Sequence, residues 1–120
     1  AITIGGTNAA SVTFGKMPRI PTATVAATGS AQGDAAAIAE GFTLVSAADG
    51  TKGVKLPAAV AGMQCIVKNN VNAVLKVYPN TSDAINALAA DAALSQAALT
   101  SALYVAYDAT TWYTTPLLPS

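Results

Sequence analysis

The stretch MQCIVKNNVNAVLKVYP, residues 63–79, limits the fold of this chain more than any other. Two short runs alternate with a period of two, and a cluster of Asn and Ala separates them. In the first run Met63, Cys65 and Val67 share one face, while Gln64, Ile66 and Lys68 share the other. In the second, Leu75 and Val77 oppose Val74, Lys76 and Tyr78. Side chains that reverse face at every residue belong to β-strands. The faces that carry the lysines also carry Ile66 and Tyr78, which would stay half exposed unless another sheet, an arm or a second subunit covers them.

The same reading extends along the chain. FTLVSAA at 42–48 has β-branched and aromatic content, and DGTKG at 49–53 is a turn signal before VKLP, so a β-hairpin is expected there. NNVNA at 69–73 is expected to close a second hairpin, with Pro57 and Gly62 bending the chain ahead of it. SALYVAY at 101–107 alternates Leu103, Val105 and Tyr107 against Tyr104 and Ala106. DATT then turns the chain into a last strand, WYTT, followed by an extended tail, PLLPS.

Helix is expected in few places. GDAAAIAEG at 33–41 reads as one or two turns, with Asp34 as N-cap and Gly41 as stop. For residues 81–99 two readings stay open. Ile85, Leu88, Ala92 and Leu99 fit a helical stripe, whereas the β-rich context favours a short strand at 84–86 followed by irregular turns.

The first 26 residues differ in character. Pro18 and Pro21 flank Ile20, fix the backbone as extended and remove ladder donors, so 16–22 is expected to be an arm or edge segment. Short strands are expected at residues 2–4 and 11–14. The fold expected overall is mainly β: a small antiparallel sandwich or barrel-like domain at 27–120, with at most one or two short helices, behind an extended arm at 1–26. The chain opens at Ala1, which suits a protein that has lost its initiator methionine and is otherwise whole.

Chemistry is sparse. Six basic and six acidic residues with no cluster of either sign leave no stripe to neutralise phosphates, so no nucleic-acid partner is expected. With no run of 18 apolar residues, no membrane span is expected. There is no histidine, and the acids stand singly where caps and turns use Asp, so no catalytic residue, cofactor or metal ligand is assigned. Cys65 stands alone in an apolar run and is expected to be buried rather than reactive. DGTKG lacks the alternating oxygen ligands of a calcium loop. GSAQGD at 29–34 could cradle an anion but lacks the spacing and lysine of a P-loop. Asn80-Thr81-Ser82 fits a glycosylation triplet, a pattern common by chance. The Trp and Tyr side chains are expected in the core and at subunit contacts.

A surface 10% charged and rich in Thr, Ser, Asn and Ala suits packing against other proteins, and an alanine-rich core with 6% aromatics is shallow enough to gain from self-association. Residues 27–114 add a more specific signal in the order of their motifs. A Gly-Ser-x-Gln-x-Asp-Ala entry leads to LVSAADGTKGVKLP, a Pro-Ala-Ala-x-x-Gly bend, two strands around Asn-Asn and LKVYP, a DAIN step and a terminal Trp-Tyr. This order resembles small structural proteins of tailed bacteriophages, which occur as head decoration (cement) proteins and as parts of fibres. The resemblance implies a β-rich homotrimer on the outer surface of the virion capsid, without enzymatic activity, bridging subunits of the major capsid protein. The alternative it leaves is a fibre or receptor-binding module that recognises host surface glycan. The expected partner contacts are Ile2, Ile4, Phe14, Pro18, Ile20 and Pro21 on the arm and Ile66 and Tyr78 on the strands.

Overall fold

The computed structural model describes residues 13–118. They build ten strands and one short 3-10 turn: β1 Thr22–Ala26, β2 Ala36–Ala37, β3 Gly41–Ala47, β4 Gly53–Lys55, β5 Gln64–Asn69, β6 Leu75–Tyr78, β7 Ala84–Ile85, β8 Leu94–Gln96, β9 Ser101–Ala106 and β10 Thr111–Thr115. The protein is mainly β and has two sheets. One orders its strands β1-β3-β5-β9-β10-β7, the other β2-β4-β6-β8. Their inner faces share one core, in which Val45, Cys65, Val67, Tyr104 and Trp112 of the larger sheet meet Val54, Leu75, Val77 and Leu94 of the smaller.

The connection differs from an antiparallel sandwich or barrel. From β1 to β6 successive strands alternate between the sheets, so β1, β3 and β5 pair in parallel, as do β2, β4 and β6. The chain winds as a short β-solenoid. Each parallel pair is joined by a link that includes a strand of the opposite sheet, long enough for the crossover a parallel pair requires.

Both expected hairpins are therefore corners. At the first, the Asp49 carboxylate accepts from the backbone N–H of Thr51 and Lys52 and from the Thr51 hydroxyl, which turns the chain into the other sheet. Gly50 N–H then donates to Val74 O, stacking this corner on the one in the next winding. Phe42 consequently pairs with Thr22 and Ile66, not with the strand that follows it. NNVNA is the corresponding corner between β5 and β6. The bend at 57–62 returns the chain to the larger sheet, held by Ala59 N–H on the buried Asp83 carboxylate and by Gly62 N–H on Ala106 O. Only β9 and β10 form a hairpin as expected, with the Asp108 carboxylate accepting from Thr110 and Thr111 N–H in the turn.

Neither helical reading holds. In 33–41 only Gln32–Asp34 forms a 3-10 turn, and Ala36 and Ala37 pair with Val54 and Lys55. Sheet pairing overrides the helix preference of alanine, which is weak per residue. Gly41, with φ +109°, opens β3 instead of ending a helix; a side chain there would run into Pro21 O. In 81–99, Ser82, Asn86, Asp91 and Leu99 all have left-handed φ, which no helix tolerates; the short strand of the other reading forms at Ala84–Ile85, but a second strand, Leu94–Gln96, which neither reading expected, pairs with β6.

After three windings the direction reverses. β8 runs antiparallel to β6, and β9 runs antiparallel to β5. A buried polar cluster holds this reversal. Gln96 donates to Val67 O and Thr100 O and accepts from the Tyr104 hydroxyl at 2.8 Å, while Asn69 donates to Ala73 O and Ala97 O. With these partners made, the cluster fixes the 97–100 loop over the 69–73 corner and adds rigidity; half made, it would cost stability. At the opposite end β1 is an edge whose residues are mostly exposed, and pairing begins at Thr22, inside the stretch read as arm, because Thr22–Ala26 aligns with β3.

Candidate interaction surface

Strand alternation fixes what the two sheets turn away from the core. β3, β5 and β9 bury Thr43, Val45, Cys65, Val67, Ala102, Tyr104 and Ala106. The intervening residues therefore point outward. On the larger sheet they form rows of directly paired neighbours: Phe42 beside Ile66 beside Leu103, and Val105 beside Tyr113. Leu44 extends the first two strands. Polar side chains share this face: Thr22 and Thr24 stand beside Phe42 and Leu44, Gln64 beside Val105, and Lys68 between Leu44 and Ser101, its ammonium donating to Leu99 O at 2.8 Å. The centre of this face is thus a partly buried apolar row, Phe42, Ile66 and Leu103, bordered by polar side chains.

The outer face of the smaller sheet is polar. Lys55, Lys76, Tyr78 and Ser95 line it, with Lys76 donating to the Ser95 hydroxyl at 2.8 Å and Tyr78 to Ser30 O at 3.2 Å.

The segment 13–21 leaves the body beside the apolar patch. It enters no strand, and Pro21 O accepts from Phe42 N–H to anchor its end. Phe14 is 55% exposed, Met17 86% and Ile20 57%, so the segment does not fold back on its own sheet. Where it departs, Ile20, Pro21, Glu40, Gly41, Gln64 and Ile66 line an open groove of about 300 Å³.

Of the expected contact residues, Ile20, Pro21 and Ile66 converge on this groove. Phe14 and Pro18 lie further out on the exposed segment, and Tyr78 sits on the other sheet, away from them. Ile2 and Ile4, with most of the strands expected at 2–4 and 11–14, fall outside the described residues; Thr13 and Phe14 belong to no strand. Phe42, Leu44, Leu103, Val105 and Tyr113 were not among the expected contacts. Their signal is that β3 and β9 are apolar on both faces, the mark of strands covered on both sides.

The remaining polar groups serve the backbone. The Asp34 carboxylate accepts from Ser30 and Ala31 N–H, so the glycine loop is filled by the chain's own acid. Gly29 is required there, with φ +67° and no room for a side chain against Asp34. Turn hydrogen bonds hold the Asp49 carboxyl down at about 2 and lower Asp108, while Ser82 N–H and the Gln32 amide lower Asp91. Burial, helped by the charge of Glu40, pushes the Cys65 thiol up to about 12. Burial also raises the Tyr104 phenol. Tyr107 and Tyr113 are 71% and 51% exposed, but their rings meet edge to face at 73°. Among the described residues no His, Cys, Asp or Glu group is placed to hold a metal, and no helix is long and apolar enough to cross a membrane.

Comparison with protein-family models, with curated proteins and with solved structures found no match.

Proposed function

We propose that this chain is a head decoration protein of a tailed bacteriophage: a homotrimer on the outer surface of the capsid that bridges subunits of the major capsid protein. The observation that carries the reading is the apolar outer face of the larger sheet, lying next to an exposed, proline-held segment. A domain with its own core that still turns Phe42, Ile66, Leu103 and Tyr113 outward is built to be covered by protein. The order of motifs over 27–114, similar to that of phage structural proteins, supplies the virion and the number three. Many copies with modest contacts suffice for such a role, because a protein that binds the assembled shell and not its dissociated subunits shifts the equilibrium toward the shell.

Glycan recognition is less well supported, since stacking on a sugar ring wants a flat aromatic platform. The two exposed tyrosines stand across each other, and Trp112 is fully buried. The test is to mix the purified protein with undecorated phage heads and follow their heat resistance. Saturable binding and a raised disruption temperature are expected. Indifference to heads combined with binding to host cells or their polysaccharide would overturn the reading in favour of adsorption.

A further inference from the structure

The preceding reading leaves two destinations for the exposed segment, the capsid lattice or a neighbouring copy. We propose that residues 13–20 of one copy lie across the apolar outer face of the larger sheet of the next copy, covering Ile66 and Leu103. The inference rests on the self-association part of that reading and not on capsid binding.

Three observations support it. The segment has large apolar side chains in need of cover, Phe14, Met17 and Ile20, and its own body does not provide it. The Phe42, Ile66 and Leu103 row is partly exposed too, and with Lys68 as the one charged side chain among the outward residues of these strands, it offers a charged partner little to recognise. Lengths also agree. Eight extended residues span roughly 27 Å, and the strands from β1 to β10 lie across about 20 Å at the usual strand spacing.

Area and symmetry choose between this arrangement and a simple pairing of two faces. The apolar residues span β3 to β10, about 14 Å at the usual strand spacing, and ~15 Å along the strands, an area of about 200 Å². Two such faces pressed together bury on the order of 400 Å² in total, short of the ~1,000 Å² that lasting interfaces exceed. A face-to-face pair is also isologous and stops at two copies, whereas an arm passed on from each copy to the next is heterologous and admits a closed ring of three. Three copies in a ring make three such contacts, and each arm adds buried area on both itself and the face.

The test uses two full-length chains, one with Met17→Cys and one with Leu103→Cys, mixed and oxidised, so that any disulfide between them joins separate copies. Buried Cys65 stays silent. Rapid cross-linking is expected, roughly tenfold or more faster than between Met17→Cys and Lys55→Cys chains, whose second thiol lies on the polar sheet, because a docked arm raises the local thiol concentration. Equal rates for the two mixtures, or no cross-link within a confirmed oligomer, would overturn this inference alone. A monomeric unmodified chain would overturn it together with the self-association part of the proposed function. Removal of residues 1–20 is expected to abolish the oligomer; an oligomer that survives this removal also contradicts the proposal.

Discussion

The two sheets back onto the same core, yet their outer faces are opposite in character. The smaller sheet presents Lys55, Lys76, Ser95 and Tyr78, with side-chain hydrogen bonds among its own elements. The larger presents Phe42, Leu44, Ile66, Leu103, Val105 and Tyr113, with Thr22, Thr24, Gln64 and Lys68 beside them. Core formation asks only that the inner residues be apolar, and both sheets meet that demand. What lies outward is therefore free to reflect the surroundings of each face. A one-sided sheet alternates apolar with polar residues, and one apolar on both sides is covered on both. The contrast is the ground for proposing the larger sheet, and not the smaller, as the contact surface.

The largest effect that would sharpen this contrast comes from charge on the apolar face. Ile66→Glu with Leu103→Glu is expected to dissociate the oligomer at micromolar concentration while leaving the circular dichroism spectrum and monomer stability nearly unchanged; the matching Lys55→Glu and Lys76→Glu pair should leave assembly intact. Loss of assembly from both pairs would break the distinction between faces. Next in size is the polar cluster between the sheets. Tyr104→Phe leaves the buried Gln96 oxygen without its hydroxyl donor, an expected loss of about 1–3 kcal/mol in denaturant unfolding. Because this change alters no outer side chain, it should lower stability without changing the order of the two faces in assembly.

Smaller is the change from Lys76→Ala, within about 1 kcal/mol, since its bond to Ser95 lies on the solvated face. A larger loss would mean that the smaller sheet is covered as well. The mildest effect is acid sensitivity of the corners. The folded carboxyl of Asp49 titrates at about 2 rather than 3.8, and those of Asp91 and Asp108 are also lowered. Their stabilisation is complete above the unfolded value and is lost as pH falls through the folded one. Melting temperature should thus stay flat through neutral pH and decline below about pH 4. Asp49→Asn and Asp108→Asn should reduce that slope, as thermal melts across the acid range would show.

Much of the strand content was legible in the residues. Cys65, Val67, Leu75 and Val77 are buried as their alternation says, and Ile66 and Tyr78 are half covered as expected. Pairing was not legible, because period two reports which face is buried and says nothing of which strand lies alongside. Asp49-Gly50 reads as a hairpin turn, and its conversion into a corner depends on the Asp49 side chain bonding forward and on Val74, 24 positions later, receiving Gly50 N–H. The left-handed turns at Ser82, Asn86, Asp91 and Leu99 were hidden by the alanines between them, whose propensity is weak against tertiary contacts. Within the candidate surface, the prolines and Ile20 pointed to the exposed segment, and Ile66 to the face. Phe42 was obscured because Thr43, its polar neighbour, is the residue that faces the core.

The most direct test of the central claim is the solution mass of the unmodified chain beside that of the Ile66→Glu, Leu103→Glu variant, measured by sedimentation at matched concentrations. The account predicts three chains per particle for the first and one, still folded, for the second. An unmodified chain that is monomeric, or a doubly charged variant that remains trimeric, would contradict it.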